Sequence, residues 1–220
     1  RSGLNNDGVR NNGTDYGGEN LVNGSLVLYM HFDNISTVGE NDTLVKDWSG
    51  RGNNGTAFNG VRVNTTGKYG GAMTFDGVDD YVNVTHNSIF NINNSITLSA
   101  WVKTIDGTSN YIITKNEDSW FLAIGADAST TNKFSFFLTP FSLVWLGSSS
   151  DINDGIWHHV VGTYNGSVKS VFVDGIQENS TNITGAIGTG ASSVLIGHRP
   201  LLSAYFNGSI DEVMIFNRSL

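Results

Sequence analysis

The chain has 220 residues, 39% of them hydrophobic, enough to furnish the core of one large domain. Its formal net charge is −8 with only 12 Lys and Arg, which argues against nucleic acid or an anionic membrane surface as a partner. It has no cysteine, which excludes a disulfide scaffold and thiol chemistry. The apolar runs are strand-sized, so no membrane insertion is expected, and no secretory signal is visible.

Residues 1–24 are polar and rich in Gly and Asn and are expected to form a linker or a loosely held arm. Residues 25–220 are expected to form one domain. The first strand is predicted over 25–33, and residues 47–55 (DWSGRGNNG) are rich in turn formers. Strands follow near 55–63, 71–76 and 80–85. In the last of these, alternation puts Val82 and Val84 on one face and Asn83 and Thr85 on the other. Residues 96–103 alternate in the same way, with Ile96, Leu98, Ala100 and Val102 on one face. Further strands are predicted near 110–116, 119–126, 133–139 and 142–147. Strands 156–165 and 168–174 are joined at Asn165-Gly166, a turn pair suited to positive φ, and Asp174-Gly175 is a second such pair. The final strands fall near 176–180, 193–198 and 208–217. No long helical periodicity appears, and the rhythm of short strands and turns is that of an all-β sandwich.

Four phrases carry a resemblance. They are residues 74–84 (TFDGVDDYVNV), 95–103 (SITLSAWVK), 156–175 (IWHHVVGTYNGSVKSVFVDG) and 207–218 (NGSIDEVMIFNR). In this order they resemble a laminin-G-like, concanavalin A-like lectin/glucanase domain over roughly residues 25–220. The resemblance implies a two-sheet antiparallel β-sandwich of jelly-roll order, with the first and last strands paired near 26–33 and 209–217. Such sandwiches carry sugar binders, adhesion modules, spacers and some hydrolases, so the fold alone does not select a function.

Glycoside hydrolysis needs two carboxyl groups across the scissile bond. Some enzymes of this fold place them as Glu-X-Asp-X-X-Glu on one strand. None of the five glutamates (Glu19, Glu40, Glu117, Glu178, Glu212) starts that pattern. The neighbours Asp79-Asp80 and Asp211-Glu212 would point to opposite faces of a strand. No catalytic residue is therefore expected. His158 and His159 likewise face opposite ways and cannot chelate one metal from one face. The resemblance implies a structural Ca²⁺ held by Asp211 of the last strand, Asp33 after the first, and the Asn53-Asn54 turn. Calcium accepts six to eight oxygen ligands, including backbone carbonyls, and so leaves no compact motif. Trp101 and Trp157 read as core. A groove lined by Trp120, Trp145, Arg199 and Tyr205 is the candidate ligand face, and the alternative is that these aromatics fill the space between the sheets.

Asn-X-Ser/Thr triplets begin at thirteen positions: Asn12, Asn23, Asn34, Asn41, Asn54, Asn64, Asn83, Asn93, Asn165, Asn179, Asn182, Asn207 and Asn217. Composition alone predicts about five. Crowding of Asn, Gly, Ser and Thr in turns is one explanation, and N-glycosylation is the other. Abundant acceptors without cysteine suit a prokaryotic, archaeal-type envelope. The expectation is a Ca²⁺-stabilised, glycosylated, non-catalytic extracellular module at the cell surface, recognising glycans or cell-surface proteins and strengthened by arraying. The alternative is a structural head domain of a filament or envelope protein; a hydrolase is the third reading.

Overall fold

A computed structural model describes residues 24–115, 119–141 and 145–220. The expected arm and the acceptors Asn12 and Asn23 lie outside the described residues, apart from Gly24. Among the described residues eighteen strands follow in chain order. They are β1 (Leu26–Met30), β2 (Leu44–Val45), β3 (Gly55–Phe58), β4 (Arg62–Asn64), β5 (Ala72–Asp76) and β6 (Tyr81–Val84). Next come β7 (Ile96–Lys103), β8 (Asn110–Lys115), β9 (Trp120–Ile124), β10 (Lys133–Leu138), β11 (Leu146–Asp151) and β12 (His158–Tyr164). The last are β13 (Val168–Val173), β14 (Ile176–Asn182), β15 (Val194–Ile196), β16 (His198–Arg199), β17 (Ala204–Tyr205) and β18 (Asn207–Phe216). Three single-turn 3-10 segments are the only helical turns among the described residues. None is long enough to cross a membrane.

The strands form two antiparallel eight-stranded sheets and a small hairpin, β16–β17. The first sheet runs β14-β13-β12-β7-β18-β5-β4, with β1 also on β18; the second runs β11-β10-β9-β8-β15-β6-β3-β2. The expected pairing of first and last strands is present, with Met30 opposite Val213 and Leu26 opposite Phe216. The expected strand 55–63 is instead two strands in different sheets. Asn59 and Gly60 both have positive φ and turn the chain between β3 and β4. The strand expected near 142–147 lies further on, at β11.

The sheets meet through their inward alternating residues. Leu98, Ala100 and Val102 of β7, Val160 of β12, and Ile210 and Ile215 of β18 face Val82 and Val84 of β6, Leu122 and Ile124 of β9, and Phe134 and Phe136 of β10. Burial of such surface at about 25 cal/mol per Å² drives the packing. The turns are those the local chemistry favours. Asp174 (φ 50) and Gly175 (φ 82) link β13 to β14, and the Asn165 side chain accepts from the N–H groups of Ser167 and Val168.

One glycine sets the inter-sheet distance at a point. A Cβ on Gly162 of β12 would lie 2.6 Å from Cγ of Phe136 in the opposite sheet. Gly162→Ala is therefore expected to destabilise the domain by about 1–3 kcal/mol through overpacking, measured as a lowered urea midpoint with unchanged slope.

Candidate ligand-binding cleft

The outer face of the second sheet follows from strand parity. Val82 and Val84 point inward, so Tyr81 and Asn83 point outward. Phe58 of β3, Leu195 of β15, Tyr111 of β8, Phe121 of β9 and Phe137 of β10 share that face. Phe58 stacks on Tyr81 with centroids 4.9 Å apart and planes 12° from parallel. Tyr81 touches His198 at 5.3 Å. His198 in turn stacks on Tyr205 at 4.2 Å and 4°. The β16–β17 hairpin is thus laid against the sheet by rings.

Between the hairpin, residues 191–193 and the sheet lies a cavity of about 660 Å³. Phe58, Tyr81, Leu195 and Pro200 supply its apolar surface, and Asn83, Ser192, Ser193 and His198 its polar groups. No Asp or Glu occurs among these lining residues. His198 Nδ1 lies 3.1 Å from the carbonyl of Ala204, so Nδ1 donates and the neutral ring keeps Nε2 as an acceptor. Burial pushes the His198 pKa down, which favours that neutral form. Beside the cavity, Arg199 donates to the Tyr111 hydroxyl at 2.8 Å and stacks its guanidinium over Tyr111 and Phe121. Trp145 closes this second cluster against Phe137 at 5.0 Å.

Of the four residues expected to line a ligand groove, Trp145, Arg199 and Tyr205 come together on this face. Trp120 does not. It shares the inward register of Leu122 and Ile124 and is fully buried between the sheets. The cavity is centred on Phe58, Tyr81, Asn83 and His198, which sequence reasoning did not single out. The signal was available for one of them, since the alternation that turns Asn83 outward turns Tyr81 outward too. Trp101, read as core, is half-buried on the outer face of the first sheet, where it stacks on His159 at 5.1 Å beneath Lys68. His158 is buried and bonded to Asp174 and Asp154.

The residues expected to hold calcium separate into two places. Asn53 and Asn54 are organised around Asp47: Asp47 Oδ2 accepts from the Asn53 N–H, and Asn54 Oδ1 accepts from the Asp47 N–H. Asn53 also donates to the carbonyl of Val27, six residues before Asp33. Asp33 and Asp211 instead bind the turn between β4 and β5. Asp33 Oδ1 accepts from Gly71, and Asp211 Oδ2 accepts from Lys68 and Tyr69. Asp33 Oδ2 also lies 3.1 Å from His31 Nδ1, and Asp211 Oδ1 accepts from the Glu212 N–H. Their side-chain hydrogen bonds thus divide the four residues between two turns.

Eleven of the acceptor asparagines are described, and ten of them are exposed. The exception is Asn83, half-buried in the cleft wall.

The model of the concanavalin A-like lectin/glucanases superfamily matches residues 76–220, and the chain belongs to that superfamily. No curated protein sequence matches it. Among solved structures it is similar to the binding domain of Paraclostridial Mosquitocidal Protein 1, with a TM-score of 0.68 and 15% identity over 90% of this chain and 50% of that one. It is also similar to domain 4 of AbnA, a GH43 extracellular arabinanase from Geobacillus stearothermophilus, in complex with arabinotriose. There the TM-score is 0.67 and identity 20%, over 89% of this chain and 94% of that one. A third is the binding domain of botulinum neurotoxin DC in complex with rat synaptotagmin II, with a TM-score of 0.66 and 19% identity over 90% and 49%. The chain spans about half the length of the toxin binding domains it matches. At these identities the likeness establishes the fold.

Asp211 gives a pH signature. Burial pushes its carboxyl up to about 7; the Glu212 carboxylate adds to the rise, and the N–H groups of Tyr69, Glu212 and Lys68 oppose it. The folded value lies above the unfolded one near 3.9. Its contribution to stability is thus complete below about pH 4 and is lost as pH rises through about 7. Asp211→Asn cannot titrate, so the melting temperature of wild type relative to this variant should climb as pH falls from 8 to 5. A difference that stays flat over that range contradicts the raised pKa.

Proposed function

We propose that this domain is a non-catalytic module that binds carbohydrate in the cleft over its second sheet. The observation that carries the reading is the stacked Phe58–Tyr81 pair beside Asn83 and His198 in one cavity. An apolar ring surface flanked by planar hydrogen-bonding groups suits a sugar ring, whose faces are apolar and whose edges carry hydroxyls. The absence of carboxylates from the described lining supports binding over hydrolysis. The arabinotriose complex of AbnA domain 4 supports a saccharide, and the synaptotagmin complex keeps a protein partner as the rival. Single-site binding would be weak and would gain from arraying.

Glycan-array screening of unglycosylated protein, followed by calorimetry on the hits, tests this. Tyr81→Ala is expected to weaken a saccharide hit about tenfold, equivalent to about 1.4 kcal/mol, with circular dichroism unchanged. The absence of any saccharide hit counts against the reading.

We further propose that the protein is a surface glycoprotein, because exposed acceptor asparagines cover so much of the domain. This also supports the second reading, a shielded structural head. Asn83 connects the two readings. A glycan there would rise from the wall of the cavity and fill it. In a glycosylating host, protein occupied at Asn83 should lose saccharide binding. Thr85→Ala, which removes the acceptor triplet and leaves Asn83 in place, should restore it. Mass mapping of Asn83 alongside the binding assay checks this.

A further inference from the structure

Among the described residues, one set of three acidic side chains brings a ligand atom from each within 4.8 Å of the others: Asp76, Asp79 and Asp80. Asp76 ends β5 in the first sheet and Asp80 immediately precedes β6 in the second. The loop between them crosses the rim of the sandwich. Asp80 continues the inward register of Val82 and Val84 and is only 4% exposed. Its Oδ2 accepts from the Asp76 N–H at 3.1 Å, and its Oδ1 is buried and accepts no hydrogen bond. A buried carboxylate oxygen without a donor is costly unless a proton or a cation satisfies it. Burial and the carboxylates of Asp76 and Asp79 push the Asp80 pKa up, against the bond from the Asp76 N–H and the charge of Arg62. Arg62 forms no ion pair with it among the described residues.

Oxygens that all lie within 4.8 Å of one another fit around one calcium ion. Calcium holds oxygens at about 2.3–2.6 Å, so opposite ligands lie about 4.6–5.2 Å apart. Magnesium demands near-ideal octahedral geometry, keeps several waters and is bound through one or two carboxylates, so a set of three suits calcium better. Asp76 and Asp79 are exposed, which leaves room for the waters and carbonyls that complete a calcium shell. Asn59 braces the loop by donating to the Asp79 carbonyl at 2.9 Å.

We propose that Asp76, Asp79 and Asp80 bind one Ca²⁺, in place of the site expected at Asp33, Asn53, Asn54 and Asp211. The ion ties the β5–β6 crossing together next to Tyr81, which forms part of the cleft wall. The proposal is independent of what the cleft binds.

The test is titration of metal-stripped protein with CaCl₂, followed by calorimetry and thermal melting. One ion per chain is expected, with a dissociation constant of about a millimolar or tighter and a higher melting temperature. Asp79→Asn is the discriminating variant, because Asp79 is exposed and among the described residues no hydrogen bond to its carboxylate is seen. It should weaken calcium binding at least tenfold, and Asp33→Asn should leave binding unchanged. Three results overturn the proposal: no saturable response to calcium in the millimolar range, wild-type affinity in Asp79→Asn, or loss of binding in Asp33→Asn with retention in Asp79→Asn.

Discussion

The Asp211 carboxylate at the middle of β18 is the interaction on which the first sheet depends. β18 pairs along one edge with β7 and along the other with two strands in succession, β5 at residues 207–210 and β1 at residues 213–216. Where one partner gives way to the next, the ladder shifts register between Asp211 and Met214, and Glu212 takes a positive φ of 51°. Such a bulge leaves backbone groups without strand partners. The fully buried Asp211 side chain supplies the acceptor, taking the N–H groups of Lys68 and Tyr69 from the turn that packs into the gap. Asp33 does the same for Gly71. Two carboxylates thus do the work of a missing stretch of sheet, at the cost of desolvating a charge.

That arrangement explains why acidic residues at these positions need not signal a cation. A carboxylate oxygen with two N–H donors has its lone pairs in use, and calcium would have to displace those donors. Hydrogen bonds from the backbone oppose, without cancelling, the desolvation that raises the Asp211 pKa. The same residue type on the rim of the sandwich is in a different state: Asp80 is buried with one oxygen bonded and the other without a donor. Burial and donor count, rather than residue identity, separate a structural carboxylate from a candidate ligand.

Much of the fold was legible in the sequence because it rests on short-range rules. Period-two alternation assigned the faces of β6 and β7, and Asn165-Gly166 and Asp174-Gly175 marked the turns from β12 to β13 and from β13 to β14. The pairing of β1 with β18 came from the resemblance, since a contact between residues nearly two hundred apart has no local signal. The division of 55–63 into β3 and β4 was missed because Asn59-Gly60 was read within a strand rather than as a turn. The site was less legible. Trp120 was misplaced because its register in β9 was not fixed against Leu122 and Ile124. The Phe58–Tyr81 stack joins neighbouring strands separated by a whole excursion through the other sheet, so neither residue announces the other. The parity that turned Asn83 outward also placed Tyr81 on that face, but a binding surface emerges only when β3, β15 and the β16–β17 hairpin are set beside it.

The segment 76–85 shows how closely one strand and its leading loop can combine unrelated demands. Its even positions, Asp80, Val82 and Val84, face inward, and its odd positions, Tyr81, Asn83 and Thr85, face the cleft or solvent. The inward face changes from apolar to ionic at the rim, where water no longer competes fully and the hydrophobic core has ended. The outward face changes from an aromatic wall to a modifiable asparagine within two residues, about 7 Å along the strand. A rigid β6, held on both edges by β3 and β15, is what keeps these functions in fixed relation. Any ligand that stacks on Tyr81 must meet Asn83, and any ion that orders Asp80 also orders the start of the strand that presents them both.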